Sequence, residues 1–136
     1  RRAKEGEEIT TLDSQVRRLD SSMLCICDAV KPVCIAGVMG GENSEVTEST
    51  RMLLLESATF NSASIRHTSK KIGLRSEASS RYEKGLDTEN TVATLNRCAE
   101  LIEELNLERV LDTELPSTVT AHSREDDDYR YIFIEN

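Results

Sequence analysis

The side chains that run common enzyme chemistries are spaced here in ways that exclude the usual constellations. The chain has no G-x-S-x-G elbow, no G-x-x-x-x-G-K-[ST] phosphate loop and no H-E-x-x-H metal helix. His67 and His122 each carry a base, but neither has a paired nucleophile nearby in sequence, so both read as surface histidines. Cys25, Cys27, Cys34 and Cys98 form no C-x-x-C pair and read as buried or half-buried thiols of a cytosolic protein. Cys25 and Cys27 would share one face of a strand, which makes a metal site with Cys34 or His67 the minor alternative; the expectation is no metal. Three other features carry more chemistry. The loop Met39–Ser44 (Met-Gly-Gly-Glu-Asn-Ser) has paired glycines that let a backbone take positive φ or come close to a ligand. The apolar run Met52–Leu55 ends in a carboxylate, Glu56, whose ordinary role would be to pair with a cation such as Arg66 or Arg75. Arg66 to Lys84 carries six cations against two acids, suited either to one end of an RNA or to a solvated helix face.

These residues need elements to position them. Glu8–Leu12, Gln15–Leu19, Met23–Asp28 and Val33–Val38 read as four short strands of a meander, separated by the turn-prone Asp13-Ser14, Asp20-Ser21-Ser22 and Lys31-Pro32. Met52–Leu55 has strand length and suits a strand covered on both faces. Asn61 or Ser62 can cap a helix to about Ile72, with Lys70 and Lys71 in its last turn and Gly73 just past its end. Asp87 or Thr88 can cap a second helix, in which Val92, Leu95, Ala99, Ile102 and Leu105 recur at helical spacing up to Asn106. The expected fold class is α+β: a small antiparallel or mixed β-sheet, or a sandwich, with two helices packed on it. Thr113–Asp128 shows neither helical nor strand period, and Tyr131–Ile134 is expected as one last edge strand.

Composition sets limits on function. A chain of 136 residues fits one domain. It opens on Arg1-Arg2-Ala3, which reads as a cut in something longer. No apolar run reaches the ~20 residues of a membrane-spanning helix, and the expected location is cytoplasmic. A formal charge of −8 argues against wholesale phosphate binding, but Asp112–Asn136 alone has seven acids against two arginines. The expected division is therefore 1–106 as the functional module and 107–136 as a divergent acidic tail.

Three blocks occur in order: Ala36-Gly37-Val38-Met39-Gly40-Gly41-Glu42-Asn43-Ser44-Glu45-Val46, then Leu54-Leu55-Glu56-Ser57-Ala58-Thr59-Phe60, then Gly73-Leu74-Arg75-Ser76-Glu77-Ala78-Ser79-Ser80-Arg81-Tyr82-Glu83-Lys84-Gly85-Leu86-Asp87. Together they closely resemble the editing (B3/B4) module of the bacterial phenylalanyl-tRNA synthetase beta chain, over roughly Arg1–Asn106. Each block alone would be a weak signal. The resemblance implies an enzyme part that hydrolyses tyrosine wrongly esterified to tRNA(Phe), within a phenylalanine–tRNA ligase of two alpha and two beta chains. ATP and Mg2+ would serve the whole enzyme at the alpha chain's synthetic site, with no cofactor in this segment. Further pocket residues of the family (a Thr-Asn pair, a Gln-Pro motif and a histidine) would lie before Arg1.

By position, the resemblance assigns the reading of the phenolic hydroxyl to Glu56 and the pocket lining to Gly37 and Gly40, where a missing Cβ leaves room for the ring. Ser76 stands where the family often has threonine and would position water or substrate; its plainer role is a helix-cap or turn serine. Ala78 would border the pocket. From charge and proximity in sequence, Arg75, Arg81 and Lys84 are candidates for the acceptor-end phosphates of tRNA(Phe). With no protein nucleophile evident, an oriented water would attack the ester. The alternative is a non-catalytic, tRNA-contacting or structural part of the same subunit.

Overall fold

The computed structural model describes residues 1–50, 52–104, 109–112, 120–125 and 130–135. The chain forms two compact units, each built from two stretches: Arg1–Glu45 with Thr59–Leu86, and Val46–Ala58 with Asp87–Asn136.

The first unit begins with a hairpin. Strand β1 (Glu8–Thr10) pairs antiparallel with β2 (Val16–Arg18), and Ser14 takes the left-handed conformation, φ 57°, that closes the turn. Arg17 fixes this hairpin to the rest of the unit. Its guanidinium donates to the Thr11 hydroxyl at 3.0 Å, to the Ile72 carbonyl at 3.0 Å and to Asp13 at 2.6 Å. Thr11 is fully buried, so these bonds meet the requirement that a buried hydroxyl be paired. A second, three-stranded antiparallel sheet follows: β3 (Cys25–Cys27), β4 (Pro32–Ile35) and β5 (Met39–Gly40), with an irregularity between Ile26 and Cys27. The expected meander is thus split into two small sheets. The stretch expected as a loop supplies the short strand β5 and a 3-10 turn, Glu42–Ser44.

Helix α1 (Ser62–Lys71) starts and stops as its sequence dictates. The Asn61 side chain accepts from the Ser64 N–H, Lys70 and Lys71 occupy the last turn, and Gly73 takes φ 65°. Helix α2 (Glu77–Tyr82) was not expected; it makes a third helix where two were foreseen. Ser76 and Ser79 satisfy each other's backbone N–H groups at its start in a capping box. Serines at the buried positions Ser69 and Ser79 suit a close approach of the helices, and α1 and α2 lie in contact. The core gathers Ala3, Ile9, Leu19, Met23, Cys25, Ile35, Val38 and Ile65, with Phe60, Ile72, Leu74 and Tyr82 packed against it. The Phe60 and Tyr82 rings meet tilted at 58°, centroids 5.0 Å apart, a favourable aromatic geometry.

The second unit contains β6 (Met52–Leu55), α3 (Asn90–Glu104), β7 (Arg109–Asp112), β8 (Thr120–Glu125) and β9 (Arg130–Glu135). Its sheet has the order β6-β9-β8-β7, with β6 parallel to β9 and the other pairs antiparallel. This corrects the expectation for the chain's end. The stretch read as β9 lies inside the sheet rather than at its edge, and Thr120–Glu125, read as irregular, is a strand. The α+β class holds, with antiparallel and mixed sheets. Leu95 of α3 is buried, and the Ser57 hydroxyl donates to the Thr91 carbonyl at 2.8 Å, tying the exit of β6 to the start of the helix. The expected last turn of that helix, Leu105 and Asn106, lies outside the described residues.

Candidate functional site

The glycine loop is held by close packing. Gly37, in the turn between β4 and β5, has φ 66°, a conformation that costs an L-residue about 1–2 kcal/mol. A Cβ there would fall 2.8 Å from Ile65 Cδ1 and 2.9 Å from Phe60 Cδ2, so glycine is required for space as well as for φ. Phe60 and Ile65 also line a depression of about 400 Å3 together with Arg2, Leu24, Asn61 and Ser64. Gly40 is less constrained: a Cβ would meet only the tip of Leu12, an exposed side chain, at 3.1 Å. Gly41, the other of the paired glycines and not among the residues assigned to the pocket, is tighter. Its Cβ would come 2.7 Å from Asn43 Oδ1 and 2.8 Å from the Val33 carbonyl, and the residue forms a bridge to Thr11.

Ser76 joins this loop to α2. Its hydroxyl donates to the Val38 carbonyl in a short bond and accepts from the Ser79 N–H at 3.0 Å. The hydroxyl's single hydrogen is therefore committed to the loop. Ser76 is a helix cap that also holds the backbone beside Gly37. Ala78 sits half-buried in the first turn of the same helix. Gly37, Ser76 and Ala78 thus belong to one packed region of the first unit.

Glu56 belongs to the second unit, immediately after β6. The residue keeps an exposed surface, yet the protein around its carboxyl strips enough water to push the group above its ordinary value. Among the described residues it makes no ion pair. Arg75, one of its two expected partners, bonds Glu83 at 3.0 Å and Ser80 at 3.2 Å instead.

Of the cations considered for RNA contact, Arg81 pairs with Glu77 at 3.3 Å, one turn away on α2. Arg75 and Lys84 line an open depression of about 550 Å3 with Arg66, Lys70, Gly73 and Glu83. Arg66 and Lys70 belong to the basic stretch Arg66–Lys84 but were not among the residues named for phosphate contact, although their i, i+4 spacing on α1 was readable.

His67 is exposed on α1, and the side chain of His122 lies outside the described ones. Cys25 is buried, which pushes its thiol up to about 11, and Cys27, Cys34 and Cys98 are half-buried and form no disulfide. Among the described residues, no three His, Cys, Asp or Glu side chains gather to hold a metal ion. No helix among them is long and apolar enough to cross a membrane.

The glycine loop, the Glu56 strand end and the capped α2 all fall within a stretch matched by one protein family. The B3/4 domain family matches residues 1–106, and the chain belongs to it. Among curated proteins, the chain is 55% identical over 105 residues to the phenylalanine–tRNA ligase beta subunit of Moorella thermoacetica, covering 77% of this chain and 13% of that protein. It is 50% identical over 111 residues to the subunit of the same name from Clostridium acetobutylicum, covering 82% and 14%. The Geobacter metallireducens subunit is 53% identical over 105 residues, covering 77% and 13%. The chain therefore spans about one seventh of the length of these relatives.

Proposed function

We propose that this chain is part of the beta subunit of a phenylalanine–tRNA ligase, and that it contributes to hydrolysing tyrosine wrongly esterified to tRNA(Phe). Kinship with three beta subunits at 50–55% identity supports the first part. The single observation that carries the second is Glu56: a partly desolvated carboxylate at a strand end, with no ion pair among the described residues.

The need for such a site follows from physics. Tyrosine and phenylalanine differ by one hydroxyl, and a pocket made for phenylalanine discriminates poorly against a side chain that merely adds one. A second site that hydrogen-bonds the hydroxyl reverses the preference. Glu56 accepts that bond from tyrosine, whereas phenylalanine would leave the carboxylate dehydrated and unpaired, at a cost of about 1–3 kcal/mol. Water then adds to the ester carbonyl, the bond to the ribose oxygen breaks, and tyrosine and tRNA with a free hydroxyl are released. Gly40, where a Cβ would meet only the tip of Leu12, leaves the glycine loop approachable, whereas Gly37 shapes the loop from within, the space of its Cβ being taken by Ile65 and Phe60. Ser76, its hydrogen given to Val38, acts as a positioning residue through the loop, and Ala78 keeps the neighbouring helix turn small.

The partners follow from the same reading: tRNA(Phe), and an alpha chain in an alpha2-beta2 enzyme working in the cytoplasm. ATP and Mg2+ belong to the synthetic site on the alpha chain, and no step of ester hydrolysis passes through them. Arg75, Arg81 and Lys84 are the candidates for acceptor-end phosphates. Arg75 already pairs with Glu83 and Arg81 with Glu77, so Lys84 is the most available of the three. Residues 1–106 form the editing module in this reading, and 107–136 a divergent acidic extension.

The test is to graft residues 1–106 into a complete beta chain co-expressed with its alpha partner and follow deacylation of tyrosyl-tRNA(Phe). Hydrolysis is expected. A graft that still attaches phenylalanine to tRNA but releases no tyrosine would reduce the segment to a structural or RNA-contacting role.

A further inference from the structure

We propose that the basic depression between the end of α1 and the end of α2 seats the phosphodiester backbone of an RNA, with Arg66, Lys70 and Lys84 as its anion-binding cations. The inference rests on the reading of this chain as a tRNA-handling module and adds the place and residues of the contact.

Four cations converge there from separate parts of the first unit. Arg66 and Lys70 stand one turn apart on α1, Arg75 follows the left-handed turn at Gly73, and Lys84 lies just beyond α2. One carboxylate, Glu83, lines the same depression, and Arg75 already engages it at 3.0 Å. Among the described residues, Arg66, Lys70 and Lys84 make no ion pair. Elsewhere this acidic chain spends carboxylates on its cations: Lys71 bonds Asp20 at 2.7 Å, Arg81 bonds Glu77 at 3.3 Å and Arg1 bonds Glu7 at 2.8 Å. A chain with formal charge −8 that leaves three neighbouring cations without acids has a local field suited to an external anion.

Two competing effects are smaller. The C-terminus of α1 opens toward this region and carries roughly half a negative charge, well short of cancelling three cations. Its last carbonyls are already occupied: Ile72 N–H bonds the Thr68 carbonyl, Leu74 N–H that of Ser69 and Gly73 N–H that of Lys70. The lining also indicates what the occupant is. A volume of about 550 Å3 exceeds what one phosphate ion needs, and no aromatic side chain lines it to stack a base. The depression therefore suits consecutive backbone phosphates and gives a contact that positions RNA without reading its sequence.

The experiment uses the whole 136-residue chain and a fluorescein-labelled RNA minihelix ending in CCA, with binding read by anisotropy across roughly 50–200 mM salt. The variant Arg66→Gln/Lys70→Gln/Lys84→Gln is compared with Lys4→Gln/Arg18→Gln/Lys31→Gln, which removes the same charge from exposed positions elsewhere in the unit. The groove variant is expected to bind about tenfold or more weaker and to lose about two from the slope of log K against log salt, at ~0.7–0.9 per phosphate contact. The control variant should lose less than threefold. Equal losses in the two variants would overturn the proposal, since diffuse charge would then account for binding. It would also be overturned if polyglutamate displaced the RNA as well as unlabelled RNA does, which would make an acidic protein the occupant, or if millimolar inorganic phosphate did so, which would make it a free anion. Lys84→Gln alone lies outside any helix, and its smaller loss in the same direction keeps the test decisive should the triple variant fold poorly. Failure here with hydrolysis of tyrosyl-tRNA(Phe) intact would sink only the groove, whereas groove binding without hydrolysis would sink only the editing reading.

Discussion

The glycine loop and the Glu56 strand end solve opposite physical problems. Around Gly37 every degree of freedom is taken: the φ angle is one that glycine alone holds cheaply, the space for a Cβ is filled by Ile65 and Phe60, and the adjacent Val38 carbonyl is bonded to Ser76. At Glu56 the reverse holds. The carboxyl has lost water without gaining an ion pair among the described residues, so its burial cost is not offset there. A region satisfied in its contacts is a frame, whereas a polar group left without an ion pair has capacity for a ligand. Substitutions in the loop should therefore be read in stability and substitutions at Glu56 in selectivity.

The largest stability effect should come from Gly37→Ala. Left-handed strain of about 1–2 kcal/mol adds to overpacking against Ile65 and Phe60 of ~1–3 kcal/mol, so urea unfolding should show a loss of about 2–5 kcal/mol. Gly40→Ala, which meets only the tip of Leu12, should cost less than about 1 kcal/mol; similar losses at the two glycines would break the contrast. Next in size is Ser76→Ala, which removes a helix cap and leaves the Val38 carbonyl without its donor, for about 1–2 kcal/mol. Ser76→Thr keeps the hydroxyl and should stay within ~0.5 kcal/mol of the original. If threonine were as damaging as alanine, the hydroxyl's two bonds would not be what holds the loop.

The smallest effect concerns pH. Glu56 has a folded-state value above its ordinary 4.5, so the folded chain holds that proton more tightly than the unfolded one. The cost is absent below the ordinary value and grows as pH rises through the raised one. Relative to Glu56→Gln, the original chain should thus lose stability as pH climbs from 4.5 through that window, seen as diverging urea midpoints. Glu7 runs the other way: Arg1 and the Lys4 N–H hold it down to about 2, so its contribution is lost as pH falls from 4.5 toward 2. A Glu56→Gln midpoint that tracks the original across the whole upper window would remove the evidence for a dehydrated carboxyl.

Much of the first unit was legible because its signals are local. Asn61 and Gly73 bracket α1 by chemistry each residue performs alone; in the second unit, Met52–Leu55 matches β6 in both bounds. Helix α2 escaped because six residues are too few to display a helical period, and its capping box uses Ser79 where glutamate or glutamine is the familiar signature. The sheet position of β9 escaped because parallel pairing with β6, some eighty residues earlier, is a long-range fact without a local trace. The site divides in the same way. The candidates Glu56, Gly37 and Ser76 came from motif blocks that resemble a family, whereas the second bond of Ser76, to Val38, depends on packing. Arg66 and Lys70 were legible as part of the basic stretch Arg66–Lys84, but their grouping with Arg75 and Lys84 was not, because only the turn at Gly73 brings them together.

The most direct test of the central claim is the ratio of tyrosyl- to phenylalanyl-tRNA(Phe) deacylation by the grafted enzyme with Glu56 and with Glu56→Ala. The account predicts a preference for tyrosine that falls about 5- to 150-fold in the variant, the equivalent of ~1–3 kcal/mol for the lost hydroxyl contact, while attachment of phenylalanine is unchanged. A preference that survives Glu56→Ala intact would mean that another group reads the hydroxyl, and would contradict the role given to Glu56.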